Sequence, residues 1–148
     1  MGRKVLPPAY FLCAIVLTVL LWYLVPVGCL SSLPLRLVGL LPIIAGVAMN
    51  LSADRAFKTH QTTVKPFEES TALVTRGAFS ISRNPMYLGM VLILLGLATA
   101  LGCASALAVV PPFALLLDRA FIAPEERMLE QKFGEHFRDY RRSVRRWV

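Results

Sequence analysis

The stretch Arg83-Asn84-Pro85-Met86-Tyr87-Leu88-Gly89 closes a polar segment and opens a long apolar run, and the fold follows from how that boundary is read. Asn84 is a favoured N-cap, and Pro85 suits the first helical position, where its missing N–H has no intrahelical partner to lose. A helix is therefore predicted to begin here. The N–H groups of its first turn are unpaired and carry partial positive charge. Arg83 adds a full charge just outside, so this helix mouth suits a carboxylate or phosphate. The plainer reading stays open: Asn84-Pro85 only starts a helix, and Arg83 anchors it to lipid headgroups.

Downstream, Met86 to Gly102 is uncharged throughout, and the whole chain carries 56% hydrophobic residues. With a mean hydropathy of +0.61, that lies above the range of soluble domains. Charged residues are segregated from the apolar runs, the pattern that hydrocarbon imposes. Other apolar runs extend from Ala9 to Val25, which is also uncharged, from Leu35 to Ala53, with Arg36 at its start, and from Ala104 to Ile122, with Asp118 and Arg119 near its end. At about 1.5 Å rise per residue each is just long enough to cross a bilayer. The expectation is an all-α integral membrane protein of one domain, with four transmembrane helices (9–25, 35–53, 86–102 and 104–122). A connecting loop (54–85) and a C-terminal amphipathic interfacial helix (124–147) complete it.

Within these runs Pro42 is tolerable where neighbouring helices satisfy the freed carbonyl, and Pro111-Pro112 must kink or break the fourth. Gly39 and Gly46 lie seven residues apart, as do Gly89 and Gly96, each pair on one face that admits close helix contact. Asn50 is either an interhelical hydrogen bond or a site residue. Cys13, Cys29 and Cys103 form no paired metal-ligand spacing and are expected to be small packing residues, with no disulfide or metal site. Val27-Gly28-Cys29 resembles the end of a lipobox, but Pro26 stands where leucine is wanted, so an uncleaved span is preferred.

The formal net charge is +7. The cations lie beside membrane runs or on the terminal helix with no nucleic-acid motif among them, so anionic headgroups are the simpler partner. Of the sixteen Lys and Arg, two precede the first span, five lie between Asp54 and Arg83, and seven follow Pro124. Positive charge inside then places both termini and the polar loop in the cytoplasm. Pro124 can begin the final helix, with Glu125 and Glu126 complementing its positive end. Leu129, Phe133, Phe137, Tyr140, Val144 and Trp147 recur at helical spacing as an apolar stripe with charged faces opposite, so the helix is expected to lie along the membrane surface.

Two blocks carry a resemblance. Leu73-Val74-Thr75-Arg76-Gly77-Ala78-Phe79, three residues, then Arg83-Asn84-Pro85-Met86-Tyr87-Leu88-Gly89 resembles the segment reading approximately LVTxGxYxxxRHPxYxG in isoprenylcysteine carboxyl methyltransferases and related membrane methyltransferases. Glu125-Glu126 with Leu129, Phe133-Gly134, Tyr140 and Trp147 is similar to their carboxy-terminal EExxL…FGxxYxxY…W signature. Together the blocks cover about half the chain. Asn84 replaces the frequent histidine and is closer to phospholipid N-methyltransferases, whose segment also reads NPMY, while Phe79 replaces the usual tyrosine. The resemblance implies an S-adenosylmethionine-dependent methyltransferase, with the cofactor on the cytoplasmic side between the loop, the helix mouth and the terminal helix.

The residues named for that site are Leu73, Val74, Gly77, Phe79, Arg83, Asn84, Pro85, Tyr87, Glu125 and Glu126. The helix mouth and Arg83 suit the donor's carboxylate, a glutamate its ribose hydroxyls, apolar backbone and Phe79 its adenine, and the Tyr87 ring its sulfonium. Arg119, which matches a family arginine, is expected to orient a carboxylate acceptor. Glu126 or His60 would be the base if the acceptor is an amine. His136 is read as a solvated helix residue. The acceptor is expected to be lipophilic, of isoprenylcysteine-carboxylate type or similar, with a phospholipid amine as the alternative. A non-enzymatic module binding anionic lipid is the competing class, and Glu125-Glu126 discriminates, because acids facing an anionic surface would weaken such binding.

Overall fold

In the computed structural model, described for residues 6–29, 32–59 and 73–148, the architecture is helical, and the described residues hold no strand beyond one antiparallel bridge. Helix α1 (Pro7–Leu24) starts on a proline and ends ahead of Pro26, since the residue before a proline is pushed out of helical backbone. Helices α2 (Leu33–Val38) and α3 (Leu40–Thr59) are one apolar run interrupted at Gly39. Pro42 supplies no N–H to the carbonyl of Val38, and the break falls there. Helix α4 (Pro85–Leu101) closes on Gly102, whose φ of 77° only glycine adopts at no cost. Helix α5 (Ala104–Leu107) stops ahead of α6 (Val110–Leu117), whose first turn holds Pro111 and Pro112, as expected of them.

Among the described residues three helices are long and apolar enough to cross a membrane: Pro7–Leu24, Arg36–Thr59 and Ala104–Phe133, while α4 is apolar but 17 residues long. Leu12, Val16, Leu20, Leu41, Ile44 and Leu51 are among many large apolar side chains left exposed on α1 and α3. A surface of that kind matches lipid rather than water. Helices α3 and α4 pack antiparallel along their glycines, Gly39 against Gly96 and Gly46 against Gly89. The small-residue faces expected to admit close helix contact thus meet each other within one chain. Asn50 packs over Gly89 and leaves its Oδ1 buried without a hydrogen-bond partner among the described residues, so the expected interhelical bond is not made through that oxygen.

Several boundaries differ from expectation. The loop expected from Asp54 begins later, because α3 continues to Thr59 and Asp54 pairs with Lys58 one turn on at 2.6 Å. His60, Lys65, Glu68 and Glu69 lie outside the described residues. The fourth run does not end at Ile122: a π-helical turn (Asp118–Ile122) joins α6 directly to α7 (Ala123–Phe133), so Pro124 sits inside a continuous rod. The carbonyl that Pro124 leaves unpaired, that of Ala120, belongs to the widened π turn, where the backbone accommodates it. The interfacial helix expected over 124–147 is broken at Gly134 (φ 54°), and α8 (Glu135–Ser143) ends before an extended tail, Val144–Val148.

The expectation for the cysteines is also corrected: Cys29 and Cys103 form a disulfide across the turn after α1 and the turn after α4. The Ala104 N–H donates to the Val27 carbonyl at 3.1 Å, so these turns already lie together, and 74 residues of separation hid their proximity from spacing arguments. Cys13 stays free and exposed. Maleimide mass labelling of unfolded, unreduced protein is expected to add one label, and three after reduction; three labels without reductant would remove the bond.

Two apolar clusters organise the interior. One joins α1, α4, α6 and the π turn through Ala14, Tyr87, Leu94, Phe113, Leu117, Phe121 and Ile122. The other joins Ala53, Val74, Phe79, Phe137 and Tyr140, with Phe57, Leu129, Phe133 and Val144 against it. The stripe read as membrane-facing therefore packs largely on protein, Leu129 to Val144 in the second cluster and Trp147 on the first.

Candidate active site

Where the two clusters meet, at the start of α4, lies a cavity of about 230 Å³. Its lining includes Phe57, Phe79, Arg83, Asn84, Met86, Tyr87, Met90 and Glu125, with Leu6, Pro7 and Pro8 from the start of α1. The lining is mostly apolar, with a few convergent polar groups, the usual make-up of a small-molecule site. Phe57 and Phe79 meet edge to face at 5.1 Å, and Tyr87 stacks on Phe121 at 6.3 Å. Gly77, at φ 66°, turns the chain into the short 3₁₀ helix Gly77–Ser80 that presents Phe79. The Tyr140 hydroxyl donates to the Phe79 carbonyl at 2.6 Å and pins that turn to α8, and burial raises the Tyr140 pKa above its ordinary value.

The polar side of the cavity is built on charges. Glu126 is 6% exposed and lies between two arginines, with Arg83 Nη2 3.1 Å from Oε1 and Arg146 Nη2 2.6 Å from Oε2. Arg146 reaches Asp118 as well, at 3.2 Å. Arg83 pairs with Glu126 as a charge without hydrogen-bond alignment, and among the described residues Glu126 Oε1 and Arg83 Nε and Nη1 have no hydrogen-bond partner. The Arg83 side chain is only 7% exposed, so these are buried donors. Burial lowers the Arg83 pKa while Glu126 opposes the shift, and a guanidinium stays charged through such a change. The hydrogen bond to Glu126, the largest of several effects, holds Arg146 above its ordinary value. Beside them the Tyr87 hydroxyl donates to Glu125 Oε2 at 3.0 Å, fixing that carboxylate at the cavity wall.

Of the residues singled out in the sequence, Phe79, Arg83, Asn84, Tyr87 and Glu125 come together on the cavity, and Glu126 stands behind Arg83. Val74 is buried beneath Phe79 with Leu73 against it, and Pro85 forms the buried first turn of α4, so these support the site without lining it. Arg119 is not brought there; it is exposed on the π turn and absent from the lining. Asn84 occupies the N-cap position, but its side chain makes no capping bond and donates instead to the Arg146 carbonyl at 3.2 Å. His136 is exposed, as read. The sequence reading missed Met86, Met90, Phe57 and the α1 start as lining, and Arg146 as the partner of Glu126. Nothing distinguishes Arg146 from its neighbours in a run of tail arginines.

Apolar helices of membrane-spanning length define an integral membrane protein, and at one end of the bundle it holds a mostly apolar cavity with Arg83 and Glu125 in its wall. The family profile described as phospholipid methyltransferase matches residues 35–136, and the chain belongs to that family of membrane methyltransferases. It is also similar to an uncharacterized protein of Haemophilus influenzae, 44% identical over 63 residues, which are 43% of this chain and the full length of that relative.

Proposed function

We propose that the chain is an S-adenosylmethionine-dependent methyltransferase acting on a lipophilic acceptor at the cytoplasmic face of a membrane, with α4 crossing that membrane in addition to the three longer helices. The observation that carries this reading is Arg83: a buried guanidinium with two donor nitrogens that have no partner among the described residues, on the cavity rim, beside a helix start that none of their side chains caps. Such a pair of donors suits an ionised carboxylate. Seventeen residues of α4 reach about 26 Å, and the family match covers them. The clustering of cations at 54–83 and beyond Pro124 supports the cytoplasmic orientation.

When bound, S-adenosylmethionine supplies a methyl group activated on a sulfonium. Arg83 and the first turn of α4 hold its carboxylate. Glu125, fixed by Tyr87, accepts from ribose hydroxyls, and Phe79 and Phe57 offer flat apolar faces for a ring. Tyr87, Met86 and Met90 exclude water from the transfer, which otherwise asks mainly for alignment. The start of α1 lets an apolar acceptor approach alongside Leu6 to Pro8. An isoprenylcysteine-type carboxylate is the first acceptor class, although Arg119, meant to orient it, is away from the cavity. A phospholipid amine is the second reading, favoured by the carboxylate of Glu125 in the wall. Burial of Glu126 between arginines, instead of on a lipid-facing surface, supports an enzyme over a lipid-binding module.

Calorimetry of the detergent-solubilised protein with S-adenosylhomocysteine is expected to show one-to-one binding, and a flat titration overturns the reading. Tyr87→Phe, which frees the Glu125 carboxylate, is expected to weaken that binding by roughly tenfold, the worth of one charge-assisted hydrogen bond. A labelled methyl donor incubated with lipid extract, followed by mass spectrometry, identifies the acceptor.

A further inference from the structure

The last five residues touch the site in a way that its ligand-lining groups do not explain. Three consecutive residues leading into α4 are bonded to them: the Ser82 hydroxyl and the Asn84 amide donate to the Arg146 carbonyl at 3.1 and 3.2 Å, and the Arg83 N–H donates to the Arg145 carbonyl at 3.1 Å. The Arg146 guanidinium meanwhile joins the π turn to the start of α7, through Asp118 and Glu126. Trp147 packs against the cluster that contains Tyr87 and Phe121. The family match stops at residue 136, so this strap lies outside it.

Two consequences bear on the ligand. Asn84 is of the residue type that most readily caps a helix with its own side chain, and a self-capped α4 would use up the donors an anion needs. The Arg146 carbonyl draws the Asn84 amide away, and α4 has no side-chain cap. Glu126 has one oxygen engaged by Arg146, which leaves the other facing Arg83 and keeps the Arg83 Nε and Nη1 edge unspent. From this geometry we infer that Val144–Val148 is a positioning strap for the anion-binding end of the site: it holds Asn84 off the α4 mouth, and Arg146 is the positioning residue that keeps Glu126 and Arg83 aimed. The inference rests on the reading of that site as the methyl donor's.

The test compares the full chain with a chain ending at Ser143 and with Arg146→Ala and Arg146→Lys, each checked for retained helicity. In ligand-free protein, amide hydrogen exchange at Arg83 is expected to accelerate in the shortened chain but not in Arg146→Ala, whose backbone carbonyls remain. S-adenosylhomocysteine affinity is expected to fall by roughly tenfold to a hundredfold in Arg146→Ala, the loss of a charge-assisted contact, and to recover partly in Arg146→Lys. Adding Asn84→Ala to the shortened chain is expected to restore part of its binding, because no side chain can then cap the mouth. A role in stability alone would not produce that rescue. Unchanged exchange at Arg83 in the shortened chain, or wild-type affinity in Arg146→Ala, overturns the inference. If the full chain itself fails to bind S-adenosylhomocysteine, the donor reading fails, while the exchange measurement still decides whether the strap holds residues 82–84. Should the shortened chain not fold, Arg146→Ala against Arg146→Lys carries the decision.

Discussion

Arg83→Ala is expected to lower S-adenosylhomocysteine affinity by roughly a hundredfold or more while the protein still folds, because two charge-assisted hydrogen bonds of about 1.5–3 kcal/mol each disappear together. The reason lies in the division of Arg83: Nη2 faces Glu126 at 3.1 Å, and Nε and Nη1 are buried without partners among the described residues. Removing one member of a buried ion pair commonly costs about 3–5 kcal/mol of stability, through the charge left behind. Here Glu126 keeps Arg146 at 2.6 Å, so the cost is expected near the bottom of that range. The double variant Arg83→Ala/Glu126→Ala should regain stability without regaining affinity, since it removes the stranded carboxylate but not the need for a cation. Arg83→Lys should recover only a fraction, a point charge lacking the planar fork. Isothermal calorimetry and thermal unfolding in detergent read the two quantities separately. Wild-type affinity in Arg83→Ala would show that no anion is held there.

Gly46→Leu and Gly89→Leu are each expected to abolish the native fold. A Cβ at Gly46 would lie 2.5 Å from the Gly89 carbonyl oxygen, and one at Gly89 would lie 2.7 Å from the Gly46 oxygen and 2.8 Å from Asn50 Cγ. These neighbours are backbone and a buried amide, which cannot rotate aside, so the helices must separate. The cost is expected to exceed about 4 kcal/mol, against a total stability of about 5–15 kcal/mol. Ala45→Leu, one residue away on the exposed side of α3, should be silent. Yield of monodisperse protein and near-UV circular dichroism check the pair; native spectra for Gly89→Leu would mean the α3–α4 contact is not as close as described.

Much of this arrangement was legible beforehand because it is written in local chemistry. Pro85 at the first position of a helix, small residues seven apart, and charges set against apolar runs each report on a few neighbouring positions, and the helices follow from them, whereas the Arg83–Glu125–Tyr87 grouping was implied only by the resemblance of two separate blocks to membrane methyltransferases. What escaped depends on where distant segments meet. The disulfide joins two uncharged turns, and cysteine spacing says nothing of that. Arg146 resembles its neighbours until the break at Gly134 and the end of α8 bring it back to Glu126. Asp54 looked like the start of a loop because charge usually ends a span, yet its pairing with Lys58 carries the helix another turn. Arg119 was placed by correspondence alone, and the π turn leaves it exposed, whereas the neighbouring Asp118 pairs with Arg146.

The cystine also closes a covalent ring. It runs from the turn after α1 to the turn after α4, and so encircles α2, α3, α4 and the Arg83 stretch. A single protease cut between Cys29 and Cys103 therefore cannot divide the polypeptide: both pieces migrate as one band on a gel until a thiol is added. A nicked sample that looked intact would be mistaken for a protected one, so limited-digestion footprints of the chain have to be read with and without reductant.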